Sequence, residues 1–279
     1  MKLRLWHAPD GARVAYREAG AGPAIVLLHS AGLSHREFAP VVEHLADRFR
    51  IVMPDLPLHG DSEDRPRHPY SLGWLAEVMA AFCVETAGPR PLVAGHGLGA
   101  QILLRAHADK RLQPRRLVLM PNTLHRRPER SAARGPWRLA ARAATVPGLD
   151  RAVAHAARAA LRPERGVRLT ARANPEARDL LRHALADVGG NTNRARAWGK
   201  FVRSQGDGGW RDLLDCYPGL TMPVLLLWAD QDRLHPLAGA EEALDLLPAG
   251  QLRVLASTGY LIAYDDPVGV ARELAAFCG

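Results

Sequence analysis

A chain of 279 residues, 47% hydrophobic and 24% charged, is long enough for one α/β domain with a sizeable core and too short for two ordinary large ones. No apolar run approaches the roughly 20 residues a membrane-spanning helix needs, and Met1 to His7 has no apolar signal core. The net charge of +8 leaves nucleic acid as one reading, but the aromatic platforms that bind single strands are sparse.

The charge is unevenly placed. Of 37 basic residues only Lys2, Lys110 and Lys200 are lysines, a bias that with the abundant alanine suggests GC-rich, actinobacterium-like coding. Between His125 and Arg172 twelve arginines face Glu129, Asp150 and Glu164, so the rest of the chain is close to neutral. A solvated helical face accounts for that segment, and so does an acidic partner or anionic substrate. Cys83, Cys216 and Cys278 have neither pairing nor metal-binding spacing, which fits a reduced, cytoplasmic setting.

In chain order, Leu3–Trp6 and Arg13–Glu18 read as strands around the hairpin signal Pro9-Asp10-Gly11. Ala24–Leu28, Arg50–Met53, Pro91–Ala94, Arg116–Leu119 and Val224–Trp228 are apolar runs of the kind buried on both faces, with a shorter one at Leu252–Leu255. Helical spacing marks Arg36–Asp47, Ser71–Thr86, Leu98–Ala108, Leu237–Leu247 and Val268–Phe277. The alternation predicts an α/β protein with a mostly parallel twisted sheet and helices on both faces. It breaks once, over 122–218, which reads as a helical cap inserted after the sixth strand into a core made of 1–121 and 219–279.

Gly95-His96-Gly97-Leu98-Gly99 follows a buried strand and opens a helix, the context of a nucleophile elbow. His29-Ser30-Ala31-Gly32, Pro54-Asp55-Leu56-Pro57-Leu58-His59-Gly60-Asp61-Ser62, the segment from Trp228 to Pro236 and Ser257-Thr258-Gly259-Tyr260 follow in the right order. With these landmarks the chain resembles the α/β-hydrolase superfamily from end to end. The resemblance implies an oxyanion loop at Ser30 and Ala31, an elbow at Gly97 and Leu98, and the acid at Asp232. It also exposes two departures: glycine stands at the nucleophile position 97, and Tyr260 where the family has its histidine.

Glycine offers no atom that can bond to carbon, and a phenol with a reference pKa near 10 is a poor base. Covalent hydrolysis is therefore not expected, while the Ala31 and Leu98 N–H groups remain as oxyanion donors. Tyr260 is expected to hydrogen-bond Asp232, with His235 three residues further on as a substitute base. Ser30 is a polar contact to ligand or a plain loop hydroxyl. His96, His29 and His59 read as structural. Phe38 is placed at the pocket wall, and Trp137, Trp198 and Trp210 in the cap line a pocket for a large apolar or aromatic ligand or fill the core.

The family's range implies a cofactor-free, metal-free, non-hydrolytic enzyme, with ring closure or carbon–carbon bond formation in specialised (polyketide-type) biosynthesis as the concrete expectation. Epoxide opening and a lyase step belong to the same reading. The alternatives are a non-catalytic small-molecule-binding pseudoenzyme and a weak hydrolase using directly activated water. Expected partners are a small molecule and an acidic carrier protein, with no nucleic acid and no membrane. Restoring Ser at 97 and His at 260 together is expected to recover hydrolysis if the pocket allows it.

Overall fold

An uninterrupted apolar run is satisfied by a strand covered on both faces, and these runs become the parallel part of one sheet. The computed structural model describes residues 1–65, 67–123, 148–152, 169–171, 174–188, 192–204 and 216–279, with a few single or paired positions between them. The strands are β1 (Lys2–His7), β2 (Arg13–Ala19), β3 (Ala24–Leu28), β4 (Arg50–Pro54), β5 (Leu92–Gly95), β6 (Arg116–Leu119), β7 (Val224–Ala229) and β8 (Gly250–Leu255). They form one eight-stranded sheet in the order β1-β2-β4-β3-β5-β6-β7-β8. The β1–β2 hairpin is antiparallel, β2 is antiparallel to β4, and every later pairing is parallel.

Strand alternation sorts the core into two layers. On β3, Val26 and Leu28 face one cluster, which holds the apolar sides of α2 (Leu72–Ala87) and α3 (Leu98–Ala108). Ile25 and Leu27 face the other, formed with α1 (Ala39–Val42) and the C-terminal α8 (Pro267–Cys278). Between β6 and β7 in the chain lie α4 (Pro175–Val188) and α5 (Thr192–Ser204). Helices α6 (Leu237–Leu246) and α7 (Ile262–Asp265) complete the described elements.

The helix expected over Arg36–Asp47 is broken up. A 3-10 turn at His35–Phe38, capped by Ser34, gives way to the four-residue α1 with Pro40 in its first turn. In this turn His35 and Phe38, three residues apart, share a face, and Glu37 is buried as well. Phe38, expected at a pocket wall, is fully buried in the core layer with Ile25 and Leu27.

Because β4 and β5 flank β3 on opposite sides, the loops leaving the carboxyl ends of β3 and β5 meet at the switch point of the sheet, where such folds place ligands. Asp55, directly after β4, ties the surrounding loops together. Its carboxylate accepts the backbone N–H of His35 at 2.7 Å, the His35 ring Nδ1 at 2.8 Å and the N–H of Asp61 at 3.0 Å.

Burial acts to raise the Asp55 pKa, but the His35 hydrogen bond and charge, followed by the charge of His29 and the His35 N–H, outweigh it and bring it to about 2. A lowered folded pKa stabilises above the ordinary carboxylate range, and that contribution is lost as pH falls from about 4 to about 2. Asp55→Asn should therefore cost about 2 kcal/mol at pH 7, and the deficit should shrink towards pH 2. Urea unfolding of both proteins across that range measures it.

Candidate active site

The elbow is held by backbone contacts that no side chain at 97 is needed to make. His96 N–H donates to Leu28 C=O at 2.9 Å, Gly97 N–H to Pro121 C=O at 3.1 Å, and Gly99 N–H to His29 C=O at 3.2 Å. These bonds fix Gly97 at φ +51° and ψ −112°, a conformation that glycine adopts readily and other residues only with strain.

What lies above Gly97 is the decisive feature. A Cβ there would come within 2.5 Å of the Tyr260 hydroxyl and 2.9 Å of Ser30 Cβ, and closer still to Ser30 Oγ. Ser30 Oγ and the Tyr260 hydroxyl are hydrogen-bonded to each other, and together they fill the space into which a nucleophile's side chain would project. The pair has two hydroxyl hydrogens and its mutual bond uses one, so one remains to be donated elsewhere.

Asp232 is not the partner of Tyr260. Its carboxylate accepts from His235 Nδ1 at 2.9 Å and from the N–H of Leu234 at 2.7 Å, so both oxygens are engaged within its own loop. The expected Tyr260–Asp232 bond is corrected accordingly: the phenol bonds Ser30 instead. His235 is thereby assembled as a carboxylate–imidazole pair, with Nδ1 donating and Nε2 carrying the lone pair. Its ring stacks on Tyr260 with centroids 5.1 Å apart.

The opposite side of Tyr260 meets His96, with ring centroids 4.3 Å apart. His96 Nδ1 is bonded to Glu37 Oε1, and Glu37 Oε2 accepts the N–H of Ser30 at 2.7 Å. One phenol is thus flanked by two imidazoles, each with a carboxylate at its Nδ1. Sequence reasoning missed Glu37, because an acid inside an apparently amphipathic helix reads as solvated. No periodicity marked it: His35, Glu37 and Phe38 are buried together while Arg36 between them is exposed. Burial raises the Tyr260 pKa first, then the charge of Glu37; the Ser30 bond opposes this and Asp232 adds to it. The phenol is held protonated, a donor and not a base.

His29 and His59 are structural, as expected. His29 Nδ1 donates to Ser30 C=O at 2.8 Å and its Nε2 accepts from Leu56 N–H at 2.9 Å, while burial, against the charge of Asp55, lowers its pKa. His59 is brought to about 3, by burial and then by the charge of His29. Trp198 packs edge-on against His59 and Phe201, with centroids 5.0 and 5.3 Å away, among the residues bordering the core. Trp137 and Trp210 lie outside the described residues.

Helix α4 closes over the site: Ala177, Leu180 and Ala184 pack on Leu33 and Leu261 beside Tyr260. Asp265 Oδ2 accepts the N–H groups of both Gly259 and Ala171 at 2.7 Å, fastening that neighbourhood to the loop that carries Tyr260. Leu98 is the first residue of α3, and neither its N–H nor that of the exposed Ala31 donates a hydrogen bond among the described residues. Among those residues no group of His, Cys, Asp and Glu is placed to hold a metal, and no helix is long and apolar enough to cross a membrane.

The sheet order, the elbow after β5 and the acid after β7 define a protein of α/β-hydrolase fold. A family model for the alpha/beta hydrolase family matches residues 25–273, and the chain belongs to that family. It is 30% identical to a pimeloyl-[acyl-carrier protein] methyl ester esterase of Stenotrophomonas maltophilia, over 91% of this chain and 93% of the relative. An uncharacterised protein of Mycobacterium tuberculosis is 29% identical, over 92% of this chain and 75% of its own length. A thermophilic esterase from Thermogutta terrifontis superposes with a TM-score of 0.74 at 22% identity, over 100% of this chain and 98% of the esterase.

The filled space above Gly97 bears on the expected recovery of some hydrolysis by Gly97→Ser with Tyr260→His, because Ser30 still occupies part of that space. Gly97→Ser alone should destabilise by roughly 2–4 kcal/mol, combining backbone strain with overpacking. The penalty should fall to the strain component once Ser30→Gly and Tyr260→His clear the space. Thermal unfolding of the single and triple variants reads this directly; equal penalties would mean that the hydroxyl pair moves aside at no cost.

Proposed function

We propose that this protein is a non-covalent enzyme acting on an enolisable carbonyl compound. The observation that carries the reading is the Ser30–Tyr260 hydroxyl pair standing in the nucleophile's place. A hydrolase needs a bond-forming atom there, whereas a hydrogen-bond donor beside two backbone N–H groups suits a developing oxyanion.

His235, oriented by Asp232, is the base. Its Nε2 takes a proton from the carbon next to the carbonyl, and the electron pair of that C–H bond moves to the carbonyl oxygen. The Ala31 and Leu98 N–H groups and the remaining hydroxyl hydrogen of the Ser30–Tyr260 pair receive the negative charge. Attack of the enolate carbon on a second carbonyl of the same molecule closes a ring, and the proton on His235 passes to the new alkoxide. The product is an isomer of the substrate, so the cycle needs no external reactant. Ring closure of this kind in specialised biosynthesis is the form of the reaction we favour. Two features support an acyl group presented on an acidic carrier protein: the +9 balance of residues 125–172, and a relative named for a carrier-bound ester.

A serine-directed phosphonate should leave no adduct by intact mass, and an adduct mapped to Ser30 would make that hydroxyl a nucleophile and overturn the proposal. With a substrate found by comparing metabolites with and without the gene, Tyr260→Phe should lower turnover by about 10²- to 10³-fold and leave folding intact. Full activity in that variant, or ligand binding without turnover in the wild type, would also overturn it.

Association with an acyl carrier protein should weaken as salt rises, since the Debye length is only about 8 Å near physiological ionic strength. Charge reversal at Arg126, Arg127 and Arg130 should weaken it further at low salt. A flat response to both would remove the carrier from the proposal.

A further inference from the structure

Glu37 takes no part in the chemistry above, yet it touches both halves of the donor site. One carboxyl oxygen holds the Ser30 N–H and the other holds His96, whose ring lies against Tyr260. Glu37 and His96 are each only 1% exposed, and His96 Nε2 has no partner among the described residues. Among the described residues Glu37 is thus the one side-chain hydrogen-bond partner that orients this imidazole. The Ser30 backbone N–H has the same acceptor, so one side chain sets the place of both hydroxyl-bearing residues from opposite sides.

We infer that Glu37 is the positioning residue of the donor site, holding Ser30 and, through His96, Tyr260 so that their hydroxyl pair stays above Gly97. The site then has two carboxylate–imidazole pairs with separate duties. Asp232–His235 exchanges protons with ligand, and Glu37–His96, sealed from solvent, orients the phenol. The Glu37 charge acts in the same direction, because it disfavours the phenolate and keeps Tyr260 a donor. The inference rests on the reading of the hydroxyl pair as an oxyanion donor, and its test is arranged to fail separately from that reading.

The probe is 4-nitrophenolate, an oxyanion whose absorption band shifts when its oxygen is hydrogen-bonded. Wild type should bind it with a shifted band, and Tyr260→Phe should weaken binding and reduce the shift. Glu37→Gln should weaken binding about 10-fold and reduce the shift, as expected when a hydrogen-bonding carboxylate is replaced by a neutral amide. Added to Tyr260→Phe, Glu37→Gln should weaken binding by less than it does in the wild type, because the part of its effect that passes through the phenol is already lost and only the Ser30 part remains. Unaltered binding in Glu37→Gln, or an equal loss in both backgrounds, overturns the inference.

If wild type does not bind the probe, the oxyanion reading fails and the inference is judged on the ligand-free protein. There, Glu37→Gln should abolish the downfield His96 N–H proton resonance and shift those of Ser30 and Tyr260, while that of His235 persists. Unchanged Ser30 and Tyr260 resonances overturn it. Should Glu37→Gln fail to fold, His96→Gln breaks the route to Tyr260 from its other end and is held to the outcomes for binding and for the Tyr260 resonance, with Ser30 still fastened to Glu37.

Discussion

The arrangement depends on one competition for space: the Ser30–Tyr260 hydroxyl pair stands where a side chain on the elbow would project, so one must shift to admit the other. Glycine at 97 is therefore more than the loss of a nucleophile. It is the condition under which a serine on the β3 loop and a tyrosine on the loop after β8 can meet. Three positions far apart in sequence form one unit, and none of them can be reasoned about singly. Each departure from the hydrolase pattern is the physical complement of the other two.

That pair sits in an unusually polar surrounding for so buried a place. A phenol between two imidazoles, each fastened to a carboxylate, would be costly if any member lacked a partner. The carboxylates are satisfied by distinct donors: Asp232 by Leu234 and His235, Glu37 by Ser30 and His96. Asp55 and His29 repeat the device one layer out, binding the β3 and β4 loops to each other through His35 and Leu56. The polar groups thus form a scaffold that fixes loop positions, and the two hydroxyls are its projecting end.

The strands were legible because runs such as Val224–Trp228 are short, wholly apolar and separated by helical spacing, whereas their order in the sheet came from the structure. The departures at 97 and 260 were legible from the landmark loops, since a landmark locates a position whatever residue fills it. The partner of Tyr260 was not. A phenol extends further than the imidazole expected at that position, and its hydroxyl bonds Ser30 on a different loop while Asp232 is taken up by Leu234 and His235. Phe38 and Glu37 were misread together: a helix was expected over Arg36–Asp47, and the chain there opens with a 3-10 turn in which both side chains are buried. Sequence periodicity places residues on a face, but a break from helix to 3-10 turn changes which face that is. His235 lay between the two cases, visible as a candidate from its i, i+3 spacing to Asp232 but assigned only by the 2.9 Å bond.

The elbow keeps its unusual backbone although nothing is mounted on it. Its conformation comes from the close passage of β5, the β3 loop and the start of α3, sealed by the bonds of residues 96, 97 and 99. A fold built that way preserves the directions of the Leu98 and Ala31 N–H groups whatever side chain is lost at 97. Changing the chemistry then requires only that the emptied volume be filled with groups that face the same point. Ser30 and Tyr260 do so from two sides, each already anchored by its own loop. Ser30 and Tyr260 thus occupy, on a hydrolase backbone, the place above glycine that a side chain on the elbow would take.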